Sequence, residues 1–329
     1  MKDVAMKGVA MKDVAMKGVA MKGVLRSSLR LACTLVLIGT AAALGAADAS
    51  AYTLLYCGST PIKWGTIPLR MRASGVGFPV GPWRDALSTV INTRWYNNPS
   101  NFYFSLTYDE PGVGLGNGES EIWWENGSAA GSSVAGFPAI NYWRWNCSDA
   151  RFTEADVIFN NQVAYTPYMT TTSLWEYGGA YRPFQTTAMH EFGHSAGLAH
   201  TNGTYNIMGT DWTHIHSNGG TSFAYPGEDA SRGVAALYGG LTGFQDIGVV
   251  HWKYLGASGE YSSHQRTRLY NGAGALLSSY VDAGEPRYYV NRGQTVQLEL
   301  TGENNGGSYQ NIQIGYFVST NNLITTSDR

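Results

Sequence analysis

The chain has 329 residues, 43% of them hydrophobic, enough for a buried core in one large domain or two smaller ones. Charged residues make up only 14%, while Gly (41) and Tyr (21) are abundant, a profile that suits a loop-rich extracellular protein better than a cytosolic enzyme. Beyond residue 51 there are 15 basic and 21 acidic side chains, with Lys63 and Lys253 the only lysines, so no basic patch is offered to nucleic acid or to an anionic membrane.

Residues 1–24 repeat the pentads MKDVA and MKGVA, a basic low-complexity stretch that does not bear on the fold. Arg26 and Arg30 then precede the apolar run LACTLVLIGTAAALGAA, which ends at Ala49-Ser50-Ala51. This order of charge, apolar run and small residues predicts a signal peptide cleaved before Tyr52. The core of the run is shorter than the ~20 residues of a membrane span. The expectation is a secreted or periplasmic protein with no membrane attachment after cleavage. Cys33 lies at the start of the apolar run, the wrong end for a lipoprotein anchor. Cys57 and Cys147 remain in the mature chain, and an even count in an exported protein suggests one disulfide. A free pair, or a Cys57 thiol that blocks a metal, are the other readings.

Residues 61–72 (PIKWGTIPLRMR) contain a strand-like stretch, followed by a Gly/Pro loop. Pro82 opens a helical stretch running to Trp95, in which Trp83, Leu87, Val90 and Ile91 fall at helical spacing. Phe102 to Tyr108 reads as an aromatic-rich strand, residues 109–120 as a Gly-rich loop, and Glu121 to Trp124 and Val157 to Phe159 as short strands. A helix is predicted over 183–196, with Pro183 near its first turn and Gly197 as a left-handed cap. Residues 228–238 form a last helix, stopped by Gly239-Gly240. Val249 to Leu255, Leu276 to Tyr280, Tyr288 to Val290, Thr295 to Leu300 and Ile312 to Val318 then look like strands of a small antiparallel β-sandwich. The predicted organisation is a signal region over 1–51, an α+β domain over 52–242 and a β-rich region over 243–329.

The chemistry concentrates in residues 190–200, HEFGHSAGLAH. His190 and His194 are four apart, on one helix face, and reach one ion together. Gly197 lets the chain turn so that His200 returns as a third ligand. Three histidines leave a fourth zinc position for water, the mark of a catalytic site. Glu191, one step round the helix, is placed as the general base.

These residues resemble the metzincin metallopeptidases, specifically the matrixin-like branch, whose HExxHxxGxxH pattern is followed by a methionine turn. Met208, eight residues after His200 within YNIMG, resembles that turn. Ala155-Asp156-Val157-Ile158-Phe159, the segment from Lys63-Trp64 to Trp95, and Glu228 to Gly239 extend the likeness over roughly residues 60–240. The resemblance implies a twisted, mixed five-stranded sheet, long helices and a horizontal cleft above one catalytic zinc. It also implies protein or peptide substrates and a monomer.

The chain departs from that family in places. No cysteine-switch segment is seen, and Cys57-Gly58 lies only six residues before Lys63-Trp64. The His- and Asp-rich insertion that binds structural zinc in many matrixins is absent from 160–182. Asp109, Glu110, Glu119 and Glu121 flank the Gly-rich loop as a calcium set or as solvated carboxylates. His214 and His216 alternate within WTHIHS. Two such histidines can bind a metal from a strand, but with three ligands already assigned the ordinary reading is a loop lining the cleft. By family position, Trp212 and Tyr225 would wall the pocket for the residue after the scissile bond. Near the C-terminus, GYFVSTNNLITTSD resembles repeats of an Ig-like adhesion module of bacterial exported proteins. Two alternatives to a peptidase follow: an adhesion or binding protein on a metzincin-like scaffold, and a metal-dependent hydrolase of a non-peptide amide.

Overall fold

The computed structural model describes residues 52–329 apart from residues 113, 126–127, 130–131, 210–213, 259–260, 313, 315, 318, 320, 322, 326 and 328–329. The expected signal segment 1–51, and Trp212 with it, therefore lie outside the described residues.

The architecture is α+β, built on one mixed sheet. Strand β1 (Leu69–Ser74) buries Leu69, Met71 and Ala73 and turns Arg70 outward. Helix α1 (Pro82–Thr89) opens on its proline and continues through a wider turn over Val90–Arg94, burying Leu87, Val90 and Ile91. Strands β2 (Phe104–Glu110), β3 (Glu121–Glu125), β4 (Ala139–Asn146) and β5 (Arg151–Asn160) complete the sheet. Their order is β2-β1-β3-β5-β4, parallel except for the antiparallel edge strand β4. β5 runs through the interior of the sheet and is buried without a break from Glu154 to Asn160, as expected of a strand covered on both faces. Only the last part of the predicted strand 61–72 joins the sheet, because Pro68 has no N–H to give to a ladder.

Helices α2 (Phe184–Ser195) and α3 (Gly227–Tyr238) are twelve residues each, shorter than the family resemblance implied. Pro183 precedes the first and Gly197, at φ 102°, ends its turn; Pro226 and Gly239 bracket the second. Every residue of α2 is buried. Phe184 packs on Phe159 and Phe192 on Phe104, with ring centroids 4.8 and 5.5 Å apart. The carbonyls at the C-terminal end of α2 find donors elsewhere: Trp64 Nε1 binds Ser195 O at 2.7 Å, and Tyr238 Oη binds Ala196 O at 2.8 Å. Two segments distant in sequence thus hold the end of the helix that carries the histidines.

Cys57 and Cys147 are bonded, with Cα atoms 5.3 Å apart across 90 residues of sequence. The thiol reading of Cys57 is therefore set aside. A bridge closing so long a loop contributes about 2–5 kcal/mol.

The expected β-sandwich after residue 243 is not what forms. Its described strands pair only two by two. β8 (Ile247–Val250) pairs with β9 (Thr301–Asn304), Trp252–Ser258 with Tyr261–Arg266, Leu269–Asn271 with Val296–Leu298, and Ser279–Asp282 with Glu285–Tyr288. The described residues of 312–318 form no strand. The physical reason is the shortage of core: among the described residues of this region the buried apolar side chains are Val249, Val250, Trp252 and Leu269, too few to join two sheet layers. The region instead leans on the rest of the chain. Val250 and Trp252 cluster with Tyr205, and the Arg266 guanidinium lies 3.3 Å from the centre of a Trp252 ring while donating to Glu176 O.

The loop carboxylates considered for calcium face a protein cation. Arg72 meets Asp109 at 3.2 Å, Glu110 at 2.8 Å and Glu119 at 3.3 Å, while Glu121 accepts from Gly114 N and Asn117 Nδ2. Behind them Asp156 is buried. Its Oδ1 accepts from Glu121 N at 3.0 Å. Burial first, then the hydrogen bond and charge of Glu154, raise its pKa to about 9. Between its ordinary value of 3.8 and about 9, the unfolded chain is ionised and the native chain is protonated. The contribution is complete below the lower value and drains as pH rises to the upper one. Asp156→Asn keeps the donor and acceptor but removes the titration. Chemical denaturation at pH 5 and pH 8.5 is expected to show the variant gaining on wild type with rising pH, by up to about 1 kcal/mol per unit. Parallel pH profiles would contradict this protonation state.

Candidate metal centre

Helix α2 delivers His190 and His194 to one side, and the turn at Gly197 brings His200 back to meet them. Nε2 of His190 and Nε2 of His194 each lie 3.1 Å from Nε2 of His200. His190 and His194 are buried, whereas His200 is exposed. The reversal is held by Leu198–Ala199 pairing antiparallel with Thr53–Leu54. A side chain at position 197 would press on Leu237 and Phe152 at 3.1 Å, besides needing the left-handed backbone, so glycine is required twice over.

The other ring nitrogens fix the tautomers. His190 Nδ1 donates to Ile207 O at 2.7 Å, and His194 Nδ1 donates to Leu198 O at 2.8 Å. In both neutral rings the Nε2 lone pair therefore points at His200. Burial, followed by the charge of the neighbouring histidines, lowers His190 well below its usual value and takes His194 to about 3. Protonation is thus disfavoured at the point where the three nitrogens converge. A carbonyl-oriented imidazole set of this kind is what zinc asks for. On this chemistry the residues fit the ion.

The turn around Met208 packs against the same helix. Asn206 Oδ1 accepts from Met208 N at 2.7 Å, and Thr201 N donates to Met208 O at 3.0 Å. Met208 is buried against Gly193, where a Cβ would come within 2.2 Å of its Sδ. The turn thereby aims the Ile207 carbonyl at His190.

Glu191 is also buried. Its carboxyl is raised to about 8 by loss of solvation, opposed by the charge of Arg182. Arg182 was not singled out by sequence. It precedes α2, donates to Thr187 Oγ1 at 3.0 Å and lies 4.7 Å over a Trp175 ring. The edge strand β4 supplies two more unanticipated groups. Asn141 Nδ2 donates to Glu191 O at 2.9 Å and to Ser195 Oγ at 2.7 Å, and Trp143 stands edge-on to His194 with centroids 5.1 Å apart.

The WTHIHS segment departs from the expected cleft-lining loop. His214 is fully buried, and His216 lies in strand β6 (Ile215–Asn218), which forms a hairpin with β7 (Thr221–Ala224). Both rings meet Glu303 of β9. Tyr225 packs its ring on His216, with centroids 4.6 Å apart, and on the Arg94 guanidinium at 4.8 Å. Glu303 carried no signal in sequence, being a lone carboxylate 89 residues from His214. Compared with the known protein families and with curated proteins, the chain matches none.

Proposed function

We propose that the chain is a secreted zinc-dependent endopeptidase of the matrixin-like metzincin type, with His190, His194 and His200 as ligands and Glu191 as general base. The observation that carries this reading is the convergence of three imidazole Nε2 atoms, with His190 and His194 each 3.1 Å from His200 and both with Nδ1 tied to carbonyls, on a helix that also buries Glu191. Zinc held there supplies a Lewis acid for the scissile carbonyl and lowers the pKa of water. The Glu191 carboxylate takes the proton of the attacking water and passes it to the nitrogen of the leaving amine. Arg182 opposes the desolvation of Glu191 and keeps the carboxylate form within reach at neutral pH. Asn141 anchors the backbone of Glu191 to β4, the edge of the sheet. An extended peptide can pair with such an edge strand and so lie across the histidines, which favours a polypeptide substrate over a small amide. A signal peptide over 1–51 and the Cys57–Cys147 bridge fit export to an oxidising compartment.

The test is metal removal. The chain from Tyr52 onward is expected to degrade casein, to lose that activity on dialysis against a zinc chelator, and to regain it when zinc returns. Casein cleavage that survives complete chelation would overturn the proposal.

A further inference from the structure

We propose that His214, His216 and Glu303 form a second site, for a divalent metal of the zinc class, that fastens the C-terminal strand β9 to the hairpin β6–β7. Residues two apart on extended chain point the same way, so His214 and His216 share one side. Glu303, paired with Gly248 of β8 across the ladder, comes up from the opposite element. Glu303 Oε1 lies 2.7 Å from His214 Nε2, and Oε2 lies 3.1 Å from His216 Nε2. One ligand atom from each of the three residues lies within 4.8 Å of the other two.

Three features make this a built site. The side chains are withdrawn from solvent, at 0% exposure for His214, 4% for Glu303 and 15% for His216. His214 Nδ1 donates to Tyr225 O at 2.8 Å, the same wiring that His190 and His194 show. In the neutral ring Nε2 is then a lone pair facing a carboxylate, and two acceptors face each other unless a proton or a metal joins them. The surroundings are also shaped to the rings. A Cβ at Gly248 would stand 2.8 Å from His216 Cε1, and one at Gly227 would stand 3.2 Å from His214 Nε2. Two imidazoles and one carboxylate, completed by solvent, are a recognised zinc donor set.

The alternative occupant is a proton, which would make the cluster a buried ion pair. The site is separate from the peptidase centre, so the two are tested apart. The chain from Tyr52 onward, produced with zinc and freed of loose ions, is expected to carry about two equivalents by mass spectrometry of the metal. His190→Ala/His194→Ala should retain about one equivalent, and adding Glu303→Gln should remove it. A folded double variant with no metal would overturn the proposal and leave the ion pair. If these variants do not fold, zinc-edge anomalous scattering from wild-type crystals decides the question. A peak among His214, His216 and Glu303 upholds the site, and a peak at His190, His194 and His200 alone overturns it.

Discussion

Glu191→Ala is expected to lower kcat on a peptide substrate by about 10²–10⁴-fold, the usual contribution of a positioned general base. None of the three converging nitrogens belongs to Glu191, so metal content should be unchanged. KM should also move little, because the carboxylate acts on the proton of water rather than on the substrate's binding groups. The side chain is buried, and alanine leaves a small gap in the helix. Glu191→Gln fills that gap and separates the chemistry from the packing. Both variants are expected to be inactive to a similar degree, with metal retained. A glutamine variant within tenfold of wild type would remove Glu191 from the mechanism.

Gly193→Ala is the second large effect, and it runs against helix propensity. Alanine inside a helix normally gains about 1 kcal/mol over glycine. Here the new methyl would stand 2.2 Å from Met208 Sδ and 3.3 Å from Trp95 Cζ2. Trp95 is pinned by its Nε1 bond to Met189 O at 3.1 Å, so Met208 has to give way. Overpacking of this kind costs about 1–3 kcal/mol. The displacement also reaches His190, because the carbonyl that orients its ring belongs to Ile207, the residue before Met208. The expected result is a lower melting temperature together with weaker zinc retention against a competing chelator. Met208→Ala should relieve the overlap, so the double variant should be less damaged than the sum of the two. A Gly193→Ala protein as stable as wild type would contradict the packing of Met208 beneath the helix.

How much of this was legible in the sequence depends on the range over which each signal acts. The helix that carries His190 and His194 was readable because its signals are local: the two histidines at helical spacing, with Pro183 and Gly197 as brackets. Met208 stood out by its distance from His200, and the structure buries it against Gly193. Strand β4 was not. An edge strand is covered on one side only, and AINYWRWN places Trp145 outward at 44% exposure, so no apolar-polar alternation marks it. The C-terminal strands were foreseen in part, but their pairing was not, since strand propensity does not name a partner. His214 and His216 were visible as a pair, whereas their meaning depends on Glu303, which only the fold brings near. Arg182 likewise counts only through what it faces in three dimensions.

The most direct measurement of the central claim is product analysis on a quenched-peptide library with the zinc-loaded chain from Tyr52 onward. New amino termini are expected at internal peptide bonds, with a consistent preference around the cleaved bond. A fully zinc-loaded, folded chain that cleaves no peptide in the library would contradict the endopeptidase reading and favour a binding protein on the same scaffold.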